Sequence, residues 1–296
     1  MKEDELKYWL WFLKLKKITR SKKEELLNKF KEPKCIYNLP KEELCKEDNK
    51  LSKDIIEEIL NNKNRNNLEE YIKYMKKNQI QIITMFDKEY PEKLKVIYDK
   101  PIALFYRGNI SLLKKDIIAI VGSRMCSLYG KNVSYKIAKE LSENDKCVVS
   151  GLAKGIDAYA HIGSLKYKGR TIAVLAHGFD MVYPIENKQI YEEIIKNNGL
   201  IISEYIMGEK LEKRNFPERN RIISGLSDGI LVVEAGEKSG ALITAEFGLE
   251  DGKEIFAIPG NINSLNSRGT NNLIKEGANI VTSTKDILEV CYGIEG

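Results

Sequence analysis

The sequence predicts an α/β fold: an extended Rossmann-like, mostly parallel sheet with helices on both faces, preceded by a small all-helical N-terminal domain. Three observations predict it. Residues 1–79 carry short helical patterns and no strand-like run. From Ile117 onward, short apolar runs alternate regularly with helical patterns, as in a sheet built from strand-helix-strand units. The first of those runs ends in a glycine turn, Gly122-Ser123-Arg124, where this architecture places its ligand edge. With 296 residues the chain is long enough for one large and one small unit, here 80–296 and 1–79.

The N-terminal patterns run Glu5–Leu15, Ser21–Phe30, Ser52–Leu60 and Leu68–Asn78, with Ser21 and Ser52 where N-caps belong. The Asn/Lys-rich stretch Asn61–Asn67 reads as a solvated linker. Ile80–Thr84 and Ile102–Tyr106 are strand-like and are expected to extend the main sheet. The core strands are Ile117–Val121, Cys147–Ser150, Thr171–Leu175, Gly199–Ser203, Gly229–Val233, Glu254–Ile258 and Asn279–Thr282. Their largely apolar, β-branched composition suits strands buried on both faces. Leu128–Ser142, Lys188–Asn197 and Ala241–Glu250 are among the intervening helices.

Composition narrows the function classes. A formal net charge of +5 permits an anionic partner without requiring one. Cys35, Cys45, Cys126, Cys147 and Cys291 are odd in number and form no C-x-x-C pair, so they read as reduced, mostly buried thiols rather than a disulfide framework or zinc site. His161 and His177 are the only histidines, and structural roles are expected for both. The apolar stretch Tyr8–Leu13 falls far short of the roughly 20 residues that span a bilayer, so no membrane association and a cytoplasmic location are expected.

Four segments carry chemistry. At Gly122-Ser123-Arg124 a buried strand runs into a turn and then a helix, so unpaired N–H groups and the arginine fork suit a phosphate. The G-x-G-x-x-G fingerprint and the ribose-binding acid are missing, which disfavours NAD, and no cofactor is expected. The turn Ser150–Asp157 opens a second helix at the same edge, where Asp157 reads as a carboxylate bonding local N–H groups. Lys213–Gly225 is the densest signal. Its cations and Phe216, beside Asn215 and Asn220, match single-strand binding: charges for phosphates and a ring face for a base. Finally, Ser239-Gly240 makes a further anion-suited helix start, with Ser239 as N-cap.

Together these residues resemble the DNA-processing protein A family, also called DprA or Smf. The matching elements are Tyr90-Pro91 with Pro101, Ile120–Arg124, Ser150–Asp157 with Ala160-His161, Tyr183-Pro184, Phe216–Gly225, and Glu234-Ala235 with Ser239–Leu242. They keep the family's order from Tyr90 to Leu242. The resemblance implies a cytoplasmic, non-catalytic, homodimeric protein that binds and protects single-stranded DNA and loads the RecA recombinase onto it in natural transformation. It implies a SAM-like N-terminal domain and a basic DNA pocket containing Arg124, Lys213 and Phe216. The DNA-binding set expected from spacing and resemblance together is Gly122, Ser123, Arg124, Lys213, Phe216, Arg219, Asn220, Arg221, Ser239 and Gly240.

Two departures from the family are visible. Lys16-Lys17-Ile18-Thr19-Arg20 stands where many relatives have a Pro-Gly-Ile-Gly-like hairpin, which argues against a DNA-binding helix-hairpin-helix there. The sequence ends at Gly296, so the winged-helix-like C-terminal domain of some relatives is not expected. A competing reading is a nucleotide-processing enzyme resembling nucleotide phosphoribohydrolases, with Gly240–Glu246 as phosphate loop and glutamate.

Overall fold

A computed structural model describes residues 1–46, 50–63, 68–167 and 169–294. The chain divides into two compact units, one of Met1–Gln81 with Asp99–Ala103 and one of Ile82–Tyr98 with Leu104–Gly296.

In the first unit the described helices are α1 (Glu3–Lys14), α2 (Arg20–Phe30), α3 (Pro33–Asn38), α4 (Lys41–Leu44), α5 (Lys53–Asn61) and α6 (Leu68–Lys77). The aromatic stretch in α1 is core: Leu10 and Phe12 are fully buried, and Trp11 and Tyr8 meet Tyr37 of α3 edge-on at 5.0 and 5.2 Å. Ser52 caps α5 by accepting from Ile55 N–H. The cap of α2, however, is Thr19, whose hydroxyl accepts from Lys22 N–H at 3.3 Å, so Ser21 lies inside the helix. The short helices α3 and α4 escaped the periodicity because each spans too few turns to show one; prolines at Pro33 and Pro40 start them. Residues 64–67 of the expected linker lie outside the described residues, and Asn61 belongs to α5.

Apart from their first residues, which belong to the first unit, β1 (Gln81–Thr84) and β2 (Ala103–Gly108) lie in the second, with α7 (Glu92–Lys95), β3 (Ile117–Val121), α8 (Leu128–Glu143), β4 (Cys147–Ser150), α9 (Ile156–Leu165) and β5 (Thr171–Leu175). It continues through α10 (Lys188–Lys196), β6 (Leu200–Ser203), α11 (Asn215–Leu226), β7 (Gly229–Val232), α12 (Gly240–Glu250), β8 (Glu254–Ala257), α13 (Arg268–Lys275), β9 (Asn279–Ile280) and α14 (Thr284–Tyr292). The strand order is β1-β2-β6-β5-β4-β3-β7-β8-β9. From β6 to β9 every pairing is parallel, and β2 joins β6 antiparallel.

The alternation of side chains along β3 puts a helical layer on each face. Ile117, Ala119 and Val121 pack with Ile222 and Leu226 of α11 and Ala245 of α12, while Ile118 and Ile120 pack with Ile137 and Leu141 of α8 and Ile287 of α14. Each fully buried isoleucine contributes about 1.5–3 kcal/mol, and the sheet centre holds several of them. The thiols are less buried than expected: only Cys147, inside β4, is fully buried, Cys126 and Cys291 are half-buried, and Cys35 and Cys45 are exposed on short helical segments. Strand order reverses at β3. The chain builds outward to β6, then returns through α11 to β7, so a crevice opens at the carboxyl ends of β3 and β7.

Candidate nucleic-acid interface

The two glycine turns at this crevice interlock. Ser123 N–H, after β3, donates to Glu234 O after β7 at 2.7 Å, and Ser123 O accepts from Ile156 N–H at 3.2 Å. Gly122 packs so closely that a Cβ would sit 2.6 Å from the Ile156 side chain. Gly155 adopts φ +77°, and a Cβ there would lie 2.2 Å from Ser123 O. These glycines serve chain-to-chain packing.

The start of α8 differs from the sequence expectation. Its N-cap, Ser127, accepts from Gly130 N–H at 3.1 Å, while Ser127 N–H and its hydroxyl both donate to the carboxylate of Glu234, the former at 2.8 Å. Gly130 makes room: a Cβ would lie 2.5 Å from Glu234 Cδ. An internal carboxylate thus occupies the helix N-terminus that the glycine turn offered to a phosphate. The α12 N-terminus instead opens onto the crevice, where Ser239 caps Ala241 N–H at 3.3 Å.

A cleft of about 780 Å³ lies at this edge. It brings together Gly122, Ser123, Arg124, Lys213, Phe216, Arg219, Asn220, Ser239 and Gly240 of the expected set. Arg124 is exposed, and its guanidinium lies 4.7 Å above the Phe216 ring. Tyr183 meets the same ring at 5.8 Å, tilted by 55°. Lys213 is exposed at the rim, and Asn220 Nδ2 donates to Gly240 O at 3.1 Å, tying α11 to α12. Lys238 and Tyr183 also line the cleft; Tyr183-Pro184 carried part of the resemblance but was not in the expected DNA-binding set, and the signal for Lys238 was a cation one residue before the Ser239 cap.

Two of the expected phosphate contacts are framework instead. Arg219 is 4% exposed and donates to Gly151 O at 2.6 Å and to Val174 O, clamping the ends of β4 and β5 together. Gly151 is needed there, since a Cβ would lie 2.2 Å from the guanidinium. Arg221 is equally buried and donates from Nη2 to both oxygens of Glu204, at 2.9 and 2.7 Å. Helical spacing explains Arg219: with Asn215, Ile222, Ile223 and Leu226 it lies on the buried stripe of α11.

Beneath the cleft sits a buried polar layer. Asp157 accepts from Gly151 and Ala153 N–H at 3.1 and 3.4 Å, the local role expected of it. Burial pulls the Arg219 guanidinium down to about 10, opposed by Asp157, and pushes Asp157 above the usual carboxylate range. His161 is fully buried with Nδ1 2.6 Å from Thr171 Oγ1; burial, then Arg219, pulls its pKa down to about 3. His177 is also pulled down by burial, with Nδ1 2.8 Å from Gly178 O. Both histidines are held as structural groups. Glu246, the acid of the enzymatic reading, is exposed on α12 and does not line the cleft. Among the described residues no cluster of three metal-ligating side chains occurs, and no helix is long and apolar enough to cross a membrane.

Comparison with known proteins follows the same residues. A family model described as DNA recombination-mediator protein A matches residues 81–292. The DNA processing protein DprA of Streptococcus pneumoniae is 48% identical over 205 residues, 69% of this chain and 72% of its own. The X-ray structure of DprA from Streptococcus pneumoniae superposes with a TM-score of 0.81 at 37% identity, over 95% of this chain and 96% of that one. DNA processing protein A from Helicobacter pylori, whose structure is described for its single-stranded DNA binding mode, aligns with a TM-score of 0.65 at 31% identity, covering 71% of this chain and 95% of that one.

Proposed function

The chain belongs to the DNA recombination-mediator protein A family, and on that premise we propose that its cleft holds single-stranded DNA and that the protein, without catalysing a reaction, protects the strand and loads RecA onto it in natural transformation. It acts in the cytoplasm as a homodimer. The observation that carries the reading is the Arg124 guanidinium poised over Phe216 inside a cleft rimmed by Lys213 and Lys238. Three accessible cations serve phosphates and the ring serves a base, while Ser123, Asn220, Ser239 and Gly240 supply polar contacts between them. Gly122, Arg219 and Arg221 hold the walls in place. The single-strand binding of the Helicobacter pylori relative supports the same ligand.

Binding of single- and double-stranded oligonucleotides of one length across a salt series tests this. Single strands should bind more tightly, because stacking on Phe216 needs an unpaired base. Arg124→Ala with Lys213→Ala should lower the salt slope by about 1.4, two phosphate contacts at about 0.7 each. An unchanged slope would overturn the pocket. For the loading step, wild type should speed RecA filament growth on the strand and the double variant should not.

A further inference from the structure

The contact between Arg124 and Phe216 has a counterpart just outside the cleft. Lys131 Nζ lies 5.5 Å from the centroid of the Tyr159 ring, Lys131 standing near the start of α8 and Tyr159 near the start of α9. Both residues are half-buried, and among the described residues Lys131 forms no ion pair. Lys146, 3.8 Å from the Tyr292 ring, differs in that its ammonium is also paired with Asp116 at 2.7 Å.

Charge and position connect Lys131 and Tyr159 to the cleft. From Ser123 to Lys139 the chain holds no aspartate or glutamate, while Arg124, Lys131, Lys136 and Lys139 are cationic. Lys136 and Lys139 are answered by Glu140 and Glu143, at 3.9 and 3.4 Å, and Lys154 by Glu186. Arg124 and Lys131 are left to meet an outside anion. The cleft takes walls from α11 and α12, which pack on one face of the sheet, whereas α8 and α9 pack on the other. The Ser123-Arg124 turn is the edge between them. Ile156 N–H donates to Ser123 O at 3.2 Å, and Tyr159 N–H donates to Gly155 O at 3.2 Å, so Tyr159 stands one helical turn, about 6 Å, from that edge. One turn further on, α8 and α9 meet backbone to backbone, since a Cβ on Gly163 would lie 2.2 Å from Tyr135 O.

We infer that a single strand held in the cleft continues over the Ser123-Arg124 edge onto the α8–α9 face, where Tyr159 stacks a further base and Lys131 meets its phosphate. This rests on the function proposed above. Charge and continuity set the occupant: beyond Arg124 the next unanswered cation lies over an aromatic ring, the combination a single strand uses.

An oligothymidine length series from about 4 to 16 nucleotides, bound across a range of salt, tests this. Lys131→Ala should leave the shortest bound strands unchanged and lower the salt slope of the longer ones by about 0.7, and Lys131→Arg should keep the wild-type slope. Tyr159→Ala should weaken the longer strands about 5- to 150-fold with no change in slope, and Tyr159→Phe should bind as wild type. Should Tyr159→Ala fail to fold, the lysine variants still decide the matter. Lys136→Ala is the control on α8: an equal loss of slope there would reduce the effect to net charge and overturn the site. Lys131→Ala that holds long strands as wild type does, or weakens the shortest as much, overturns the continuation and leaves the cleft standing. An unchanged slope in Arg124→Ala with Lys213→Ala overturns the cleft, and the continuation with it. If sedimentation velocity without DNA shows Lys131→Ala breaking up a self-associated wild type, the face meets a second copy of the chain and not a strand.

Discussion

Arg124 holds its guanidinium 4.7 Å above the ring of Phe216, the two side chains reaching each other from the turn after β3 and the first turn of α11. At an exposed site such a contact is worth about 0.5–1 kcal/mol, whereas a stacked base is worth about 1–3. On the function proposed above, an incoming base should outcompete the guanidinium for the ring, leaving the displaced arginine beside the phosphate that accompanies that base. In that proposal the pair is a preset cover over the ring.

This exchange separates the two residues experimentally. Phe216→Ala should weaken oligonucleotide binding about 5- to 150-fold with no change in salt slope. Arg124→Ala should lower the slope by about 0.7, and Arg124→Lys should preserve the slope, because charge and not planarity meets the phosphate. Fluorescence anisotropy from 50 to 300 mM salt, roughly the range over which counterion release dominates, reads both. A slope change in Phe216→Ala would mean that the ring positions a cation instead of a base.

Arg221 Nη2 donates to both oxygens of Glu204, the two side chains being 5% and 12% exposed. Removing Arg221 takes a charge-assisted partner from a buried carboxylate, so Arg221→Ala should lower stability by about 3–5 kcal/mol in urea denaturation. Arg221→Met with Glu204→Leu should recover part of the loss, because this ion pair is then replaced from both sides by apolar side chains. Folded Arg221→Met/Glu204→Leu protein should keep the wild-type salt slope. A lowered slope would return Arg221 to the DNA surface.

The sheet was legible because most of the seven runs from Ile117 to Thr282 are largely apolar, as strands covered on both faces are, while the last shrinks to β9, where Ile280 is exposed. The cleft was legible in part. Glycine, arginine and aromatic at 122, 124 and 216 announced themselves by type, and parallel topology brought them to one edge. Charge misled where burial reversed its meaning: Arg219 and Arg221 sit two apart in a basic run, yet one braces two strand ends and the other pairs with Glu204, ties between distant segments with no local signature. Likewise the seat of Glu234 on Ser127 joins residues 107 apart, so the open helix N-terminus implied by the glycine turn was filled from elsewhere in the chain.

Gly155 tests the interlocked turns. Its φ of +77° is strained for any other residue, and a Cβ would meet Ser123 O at 2.2 Å and Arg124 O at 2.7 Å. Gly155→Ala should cost at least about 1–3 kcal/mol of stability and, by pushing the 123–124 turn outward, also reduce strand affinity. Gly252, with φ +67° and open space around it, is the control: Gly252→Ala should lose stability through the backbone alone and bind as wild type. Equal losses of affinity in both variants would count against the turn as a wall of the site.

The buried histidine gives the protein an acid limit whose sign follows from proton counting. In the unfolded chain His161 titrates near 6.5, while in the fold burial and the neighbouring Arg219 keep it neutral down to about 3. Between those values the unfolded state binds the extra proton, so stability falls as pH drops, by about 1.4 kcal/mol per unit. At pH 5 the cost reaches about 2 kcal/mol. His177, shifted the same way, adds to it, whereas Asp157, shifted upward, opposes it at the acid end. His161→Gln isolates the effect, since a glutamine amide can still donate to Thr171 and takes no proton. Urea midpoints at pH 7.5 and pH 5 should move apart less in His161→Gln than in wild type, by about 2 kcal/mol. Equal movement in the two proteins would show that His161 takes up its proton without unfolding the chain.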